Sequence, residues 1–134
     1  MGTVRRMTAD ETREFLRTHH RSVLTTRRRD GRLQSSPVVQ GVDDEGFVVI
    51  SVTRDRAKTR NLRRDPRATL CAMTEEFFGP WVQVDGEAEI VDLPDAMDGL
   101  KALYRQVQGE HPDWSDFEAA MVRDRRCLIR IPVG

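Results

Sequence analysis

The stretch SVLTTRRRDGRLQSSPVVQGVDDEGFVVISV (residues 22–52) decides the fold. It contains three β-branched apolar runs joined by two short turns. Residues 22–26 read as a first strand. Asp30-Gly31 supplies a hairpin turn, with Gly31 at the left-handed position that side chains disfavour. A second strand runs over about 32–41, Asp43-Asp44-Glu45-Gly46 turns the chain again, and residues 47–52 form the third and clearest strand. Connections this short join antiparallel neighbours, because a parallel pair needs a crossover of a dozen residues or more. The sheet therefore begins as an antiparallel meander, which excludes a parallel α/β architecture.

Upstream, Thr8-Ala9-Asp10-Glu11 is a capping box that opens a helix over 9–19, with Phe15 and Leu16 facing inward. Downstream, a helix over 56–65 is stopped by Pro66, and a strand follows over 68–73. Residues 81–91 alternate as one long strand, bent at Gly86. Two helices, 95–108 and 115–124, flank Gly109-Glu110-His111-Pro112, and a strand over 127–131 ends the chain. The expectation is a mainly β fold with flanking helices, six antiparallel strands in all. With no linker or repeat, residues 1–134 form a single domain, and the sheet curls into a small barrel to hide its edges.

Composition narrows the function. The 134 residues carry 22 Lys plus Arg against 22 Asp plus Glu, with 38% hydrophobic and 33% charged residues. That balance describes a globular protein, not a disordered chain. Zero net charge argues against a dedicated nucleic-acid partner. No apolar run approaches the ~20 residues that cross a bilayer. MGTVRRM lacks the apolar core of a signal peptide, and Arg6 stands where a myristoylation motif wants Ser or Thr, so a cytoplasmic location is expected. Cys71 and Cys127 sit in strand-like runs and read as buried thiols; no Cys/His spacing suits a metal. His111 has no evident partner. The signatures of serine hydrolases, zincins, P-loops and dinucleotide folds are absent, and no nucleophile or base is nominated. If the protein is an enzyme, a cofactor carries the reaction.

Residues 51–67 stand out. Seven cations and two acids follow a buried strand and open a helix. Ser51 and Thr53 share one strand face, the helix start offers unpaired amides, and Arg56 and Lys58 add full charges. Together these suit a phosphate, and they read equally as a solvated helix. Lys58 and Lys101 are the two lysines among 22 cations. On the second strand Gln34 and Ser36 share a face, and Pro37 removes a ladder donor. That leaves backbone groups free for a flat polar ring, or protects a sheet edge. Phe77-Phe78-Gly79-Pro80-Trp81 offers aromatics for dimer packing or ring stacking.

In this order the segments resemble the flavin/deazaflavin oxidoreductase superfamily, the split β-barrel proteins that include pyridoxamine 5′-phosphate oxidase. The nearest resemblance is to the actinobacterial branch that uses coenzyme F420. It is carried by Leu24-Thr25-Thr26, Asp30-Gly31-Arg32, Gln34-Ser35-Ser36-Pro37, the run from Arg56 to Arg67, Val84-Asp85-Gly86-Glu87-Ala88, and the stretch from Tyr104 to Arg126 with His111 and Trp114. The resemblance implies a six-stranded split β-barrel homodimer with its cofactor between the chains. The phosphate grip falls on Ser51, Thr53, Arg56, Ala57 and Lys58, with Arg60 nearby. Ring contacts fall on Gln34, Ser35, Ser36, Pro37 and Val38, and a partner's loop around Phe78 and Trp81 covers the ring. Pro37 departs from the Asn of some relatives. The implied activity is hydride transfer from the C5 of reduced F420 to a small conjugated organic substrate, with solvent supplying the proton and no metal. The alternatives are an FMN-dependent oxidase or reductase of the same fold and a non-catalytic cofactor carrier.

Overall fold

The computed structural model describes residues 7–134; the leader reading of residues 1–6 lies outside them. β1 (Arg21–Arg27), β2 (Leu33–Val42) and β3 (Val48–Thr53) form the expected meander. β4 (Arg67–Met73) pairs with the other edge of β1, and β5 (Trp81–Glu87) pairs with β4. Beyond β3 lie β7 (Arg126–Ile131) and then β6 (Glu89–Val91). The antiparallel sheet runs β5-β4-β1-β2-β3-β7-β6.

The sheet therefore has seven strands, not six. Residues 81–91 are one stretch of chain but two strands. Ala88 leaves both ladders and donates its N–H to the Pro66 carbonyl at 2.7 Å. β5 stays on β4 while β6 crosses to β7, so a single segment belongs to both ends of the sheet and curls it into a half-barrel. The break falls at Ala88 instead of Gly86. Gly86 serves a different purpose, since a Cβ there would lie 3.1 Å from Ile131 Cγ2 and 3.3 Å from the Pro132 carbonyl oxygen.

Inward residues of the curled sheet make the main core. Leu24, Ile50, Leu70, Ile129 and Ile131 are wholly buried there, and α1 (Ala9–Thr18) adds Leu16. The capping box forms as expected, Thr8 and Glu11 exchanging bonds of 3.1 Å. α2 (Ala57–Arg64) buries Leu62 in that core and ties Asn61 Nδ2 to Thr26 Oγ1 at 3.1 Å. β3 and β7 also use their outer faces. Val49 and Leu128 pack there against Leu100 and Leu103 of α3 (Met97–Gln108) and Phe117 of α4 (Trp114–Arg123). Burial on both faces explains why residues 47–50 read as a continuous apolar run. Cys127 is buried and Cys71 half-buried, both as free thiols. Among the described residues, no helix is long and apolar enough to cross a membrane.

One polar contact seats α3. β1 begins at Arg21, so the outer edge of β2 has no strand neighbour at Val42. Gln106 replaces it. Its Oε1 accepts from Val42 N–H and its Nε2 donates to the Val42 carbonyl, both at 2.8 Å. A Cβ on Gly41 would sit 2.6 Å from that Oε1, so the small residue beside Val42 admits the amide. Gln106→Ala should leave two buried backbone groups unpaired at about 1–2 kcal/mol. Its melting temperature should fall by roughly 3–8 °C in a thermal unfolding scan. A melting temperature unchanged from wild type would show that the contact is not what holds α3.

Candidate functional site

β2 and β3 pair at Gln40–Ile50, Gly41–Val49 and Val42–Val48, and nowhere else. Continued, that register would place Val38 opposite Val52 and Pro37 opposite Thr53. Instead the strands part, and a cleft of about 760 Å³ opens, with Pro37, Val38 and Val39 on one lip and Ser51 and Thr53 on the other. Gln40 donates its N–H toward β1, to the His20 carbonyl at 3.0 Å. By alternation, Pro37 and Val39 turn their backbone groups to the β3 side. The β1 ladder runs through Val23–Pro37 unbroken. Pro37 therefore interrupts pairing on one side only, and Val39 presents its N–H to the opening.

The floor is the outer face of β3 and β7. Along β3, Ser51 and Thr53 follow Val49 on this face; along β7, Arg126 lies opposite Thr53. Arg56 is the N-cap of α2 and Lys58 lies in its first turn, where helix geometry leaves the leading amides unbonded. Lys58 Nζ reaches Ser36 Oγ at 3.5 Å. Some neighbouring arginines are paired, Arg63 with Asp92, Arg67 with Asp65, Arg125 with Asp55, and Arg130 with Asp43 and Glu89, whereas Arg54, Arg60 and Arg64 have no ion pair among the described residues. Among the described residues, Arg56, Lys58 and Arg126 have no carboxylate within 4.0 Å. The buried Nε of Arg126 has no hydrogen-bond partner at all. Burial, then the charges of Arg56 and Arg126, hold the Lys58 ammonium below its ordinary pKa. Anions suit such a place.

The opposite wall comes from α3, α4 and the loop between them. Leu100, Leu103 and Met121 give it an apolar lining, and Tyr104 and His111 are its protic groups. His111 is not without a partner, as its sequence context suggested. Its Nδ1 accepts the Asp113 N–H at 2.9 Å, so the proton of the neutral ring sits on Nε2. Tyr104, Trp114 and Phe117 surround that ring with centroids 4.9–5.6 Å away.

Of the residues singled out in the sequence, Pro37, Val38, Ser51, Thr53, Arg56 and Lys58 come together on this cleft. Ser36 joins them through Lys58. Gln34 is turned to Thr26, whose hydroxyl it accepts at 3.2 Å, and Ser35 shares a 2.7 Å bond with Thr25 on the outer sheet face. Ala57 and Arg60 are exposed on α2, outside the cleft lining. Phe78 and Trp81, 96% and 60% exposed, stand at the β4–β5 turn away from the lining. Arg126, Tyr104 and His111 lie in the stretch that carries the resemblance but were not assigned to the site from the sequence. Arg126 reaches the site only through β3–β7 pairing, for which the local sequence carries no signal.

Residues 8–133 match the sequence family described as pyridoxamine 5′-phosphate oxidase. Solved structures share the fold at low identity. The conserved hypothetical protein Rv2991 from Mycobacterium tuberculosis is 24% identical with a TM-score of 0.79, over 98% of this chain and 86% of its own. An F420 reductase is 22% identical with a TM-score of 0.68, over 90% of this chain and 91% of its own. A heme binding protein from Mycobacterium smegmatis is 20% identical with a TM-score of 0.71, over 98% of this chain and 53% of its own.

The cation cluster makes a prediction about the ligand-free protein. Because the folded state depresses the Lys58 pKa, the unfolded chain binds that proton more tightly. The charge thus costs stability below the folded pKa, and the cost fades as pH rises toward about 10.4, the ordinary lysine value. In phosphate-free buffer, Lys58→Met should melt higher than wild type at pH 7, by a margin that shrinks toward pH 10.5. A lower melting temperature at pH 7 would mean that Lys58 has a stabilising partner.

Proposed function

The chain belongs to the pyridoxamine 5′-phosphate oxidase family, and from that premise we propose that its cleft holds coenzyme F420 and that the protein is an F420-dependent oxidoreductase acting on a small conjugated organic molecule. One observation carries the reading: unpaired Arg56, Lys58 and Arg126, the last with an orphaned buried Nε, converge beside an unpaired strand edge. A phosphate-bearing cofactor with a flat polar ring fits both features. Ser51 and Thr53 hydroxyls, the cations and the first-turn amides of α2 hold the phosphate. The β2 edge from Ser35 to Val39 meets the ring. When bound, the deazaflavin supplies a hydride from C5. Leu100, Leu103 and Met121 keep water from the reacting face, and the Nε2–H of His111 and the Tyr104 hydroxyl are protic groups within the cleft.

The same reading includes a homodimer. On the outer face of β5-β4-β1-β2 the register aligns Trp81, Met73, Arg21 and Val39 in one row and Gln83, Cys71, Val23 and Pro37 in the next, and Val39 and Trp81 are exposed there. A second copy would cover this partly apolar face and the exposed Phe77 and Phe78, and would close the cleft from the Pro37–Val39 side. Sedimentation should give about twice 15.4 kDa. A monomer that still binds cofactor tightly contradicts the interface.

Fluorescence titration with F420 and FMN side by side tests the cofactor. F420 should bind more tightly. Lys58→Ala should weaken it by about tenfold to a hundredfold, since a charge-assisted bond contributes about 1.5–3 kcal/mol and ~1.4 kcal/mol is tenfold. Arg17→Gln, on α1 where Arg17 pairs with Glu14, should change nothing. Tighter FMN binding would replace the coenzyme, and no binding of either would remove the cofactor reading. Tight F420 binding without turnover of any enone or quinone would favour a carrier.

A further inference from the structure

We infer that the α3–α4 wall of the cleft is a shelf for a flat, uncharged substrate, and that the Tyr104 hydroxyl orients that substrate by donating a hydrogen bond to its conjugated carbonyl oxygen. The inference rests on the proposed redox reading, in which a small conjugated molecule is reduced beside the cofactor. The shelf begins in the spacing of α3. Leu100, Leu103, Tyr104 and Val107 fall at i, i+3, i+4 and i+7, so one helix face carries all four to the cleft. Phe117 and Met121, four apart on α4, extend that face. The Tyr104 hydroxyl is the one polar side-chain group among these six. Gln108 and Asp116, which also line the cleft, are exposed to solvent.

The ring of Tyr104 is held while its hydroxyl is free. His111, Phe117 and Trp114 pack around the ring, with centroids 4.9, 5.3 and 5.9 Å away. A phenylalanine would make the same contacts, so packing does not account for the oxygen. Among the described residues that oxygen bonds nothing, although Tyr104 is half-buried. A hydroxyl on an apolar wall is poorly solvated, and an acceptor arriving with a ligand restores the missing bond. Sites of this make-up bind a mostly apolar molecule and fix its orientation through a few polar groups. A carbonyl oxygen suits a phenolic O–H, because it can only accept. In an enone the same bond draws electron density from the conjugated carbon that receives hydride, and it strengthens as charge grows on the oxygen. Across the cleft lies the Pro37–Val39 edge, proposed to meet the cofactor ring, so a substrate on the shelf would sit between the two.

The probe is 4-dimethylaminobenzylideneacetone, an uncharged enone whose absorbance moves to the red when its carbonyl is hydrogen-bonded. Titration of the full chain should give saturable binding, with the bound maximum at or beyond its position in water. Tyr104→Phe keeps the ring and should bind within about tenfold of wild type, since one neutral hydrogen bond is lost. Its bound maximum should move to the blue, toward the position in an aprotic solvent. A purely packing role for Tyr104 would leave that maximum where it is. Ala120→Leu, which fills the shelf from α4, should weaken binding by about tenfold or more. An unmoved maximum in Tyr104→Phe, an affinity unchanged in Ala120→Leu, or no binding to wild type would overturn the inference. Equilibrium dialysis with saturating F420 then separates the two readings, and the enone should bind beside the coenzyme. Displacement of the enone by F420 would overturn the inference and leave the cofactor reading standing. Failure of F420 to bind would remove the cofactor reading, and a Tyr104-dependent shift would then support the carbonyl shelf alone.

Discussion

Beyond the Gln40–Ile50 pair, β2 and β3 part, and the rest of the structure is arranged around that parting. Had the register continued, Val38 and Val52 would pair, the sheet would close, and Ser51, Thr53 and Arg126 would form an ordinary strand surface. Two features keep the split open. Pro37 offers β3 a carbonyl but no N–H, and α3 and α4 occupy the outer face where Val49 and Leu128 need cover. The crossing segment from β5 through Ala88 to β6 closes the other side, so the sheet curls without needing β2 and β3 to pair along their whole length.

The split also gathers three cations without carboxylate partners, Arg56, Lys58 and Arg126, onto one cleft. Elsewhere, several arginines find carboxylates along the surface; Arg130 bonds Asp43 at 2.9 Å and Glu89 at 2.6 Å while lying over Phe47. Of the acids close in sequence, Asp55 pairs with Arg125, and the one carboxylate lining the cleft, Asp116, comes from the opposite wall. The result is an uncompensated positive site on a rigid floor. Such a site opposes folding slightly and favours an anionic ligand strongly, the usual exchange between stability and binding. Burial, and then Arg56 and Arg126, depress the Lys58 pKa, and Arg126 keeps an orphaned nitrogen.

What the sequence revealed followed the range of the interaction involved. The capping box at Thr8, the turn at Gly31, the meander and the order of the helices are decided within a few residues, and they appear with ends shifted by one or two positions. Ser51 and Thr53 share a face because a strand alternates, which needs no tertiary knowledge. The seventh strand stayed hidden because nothing in residues 81–91 says that Ala88 will bond Pro66 across the fold. The place of Arg126 and His111 in the site was missed for the same reason: one enters through strand pairing and the other through a loop folded over aromatic rings. Gln34 was read as facing the cleft because it shares Ser36's strand face; the position of Thr26 on the neighbouring strand turns its amide away.

The account depends most on Arg56, Lys58 and Arg126 forming one anion site at the start of α2. Amide-resolved NMR with inorganic phosphate tests that directly. The predicted result is saturable shifts concentrated at Ala57, Lys58 and Thr59, with Ser51, Thr53 and Arg126 moving at the same concentration. Shifts scattered over the exposed arginines of the β1–β2 turn and α1, or none at the cleft, would contradict it.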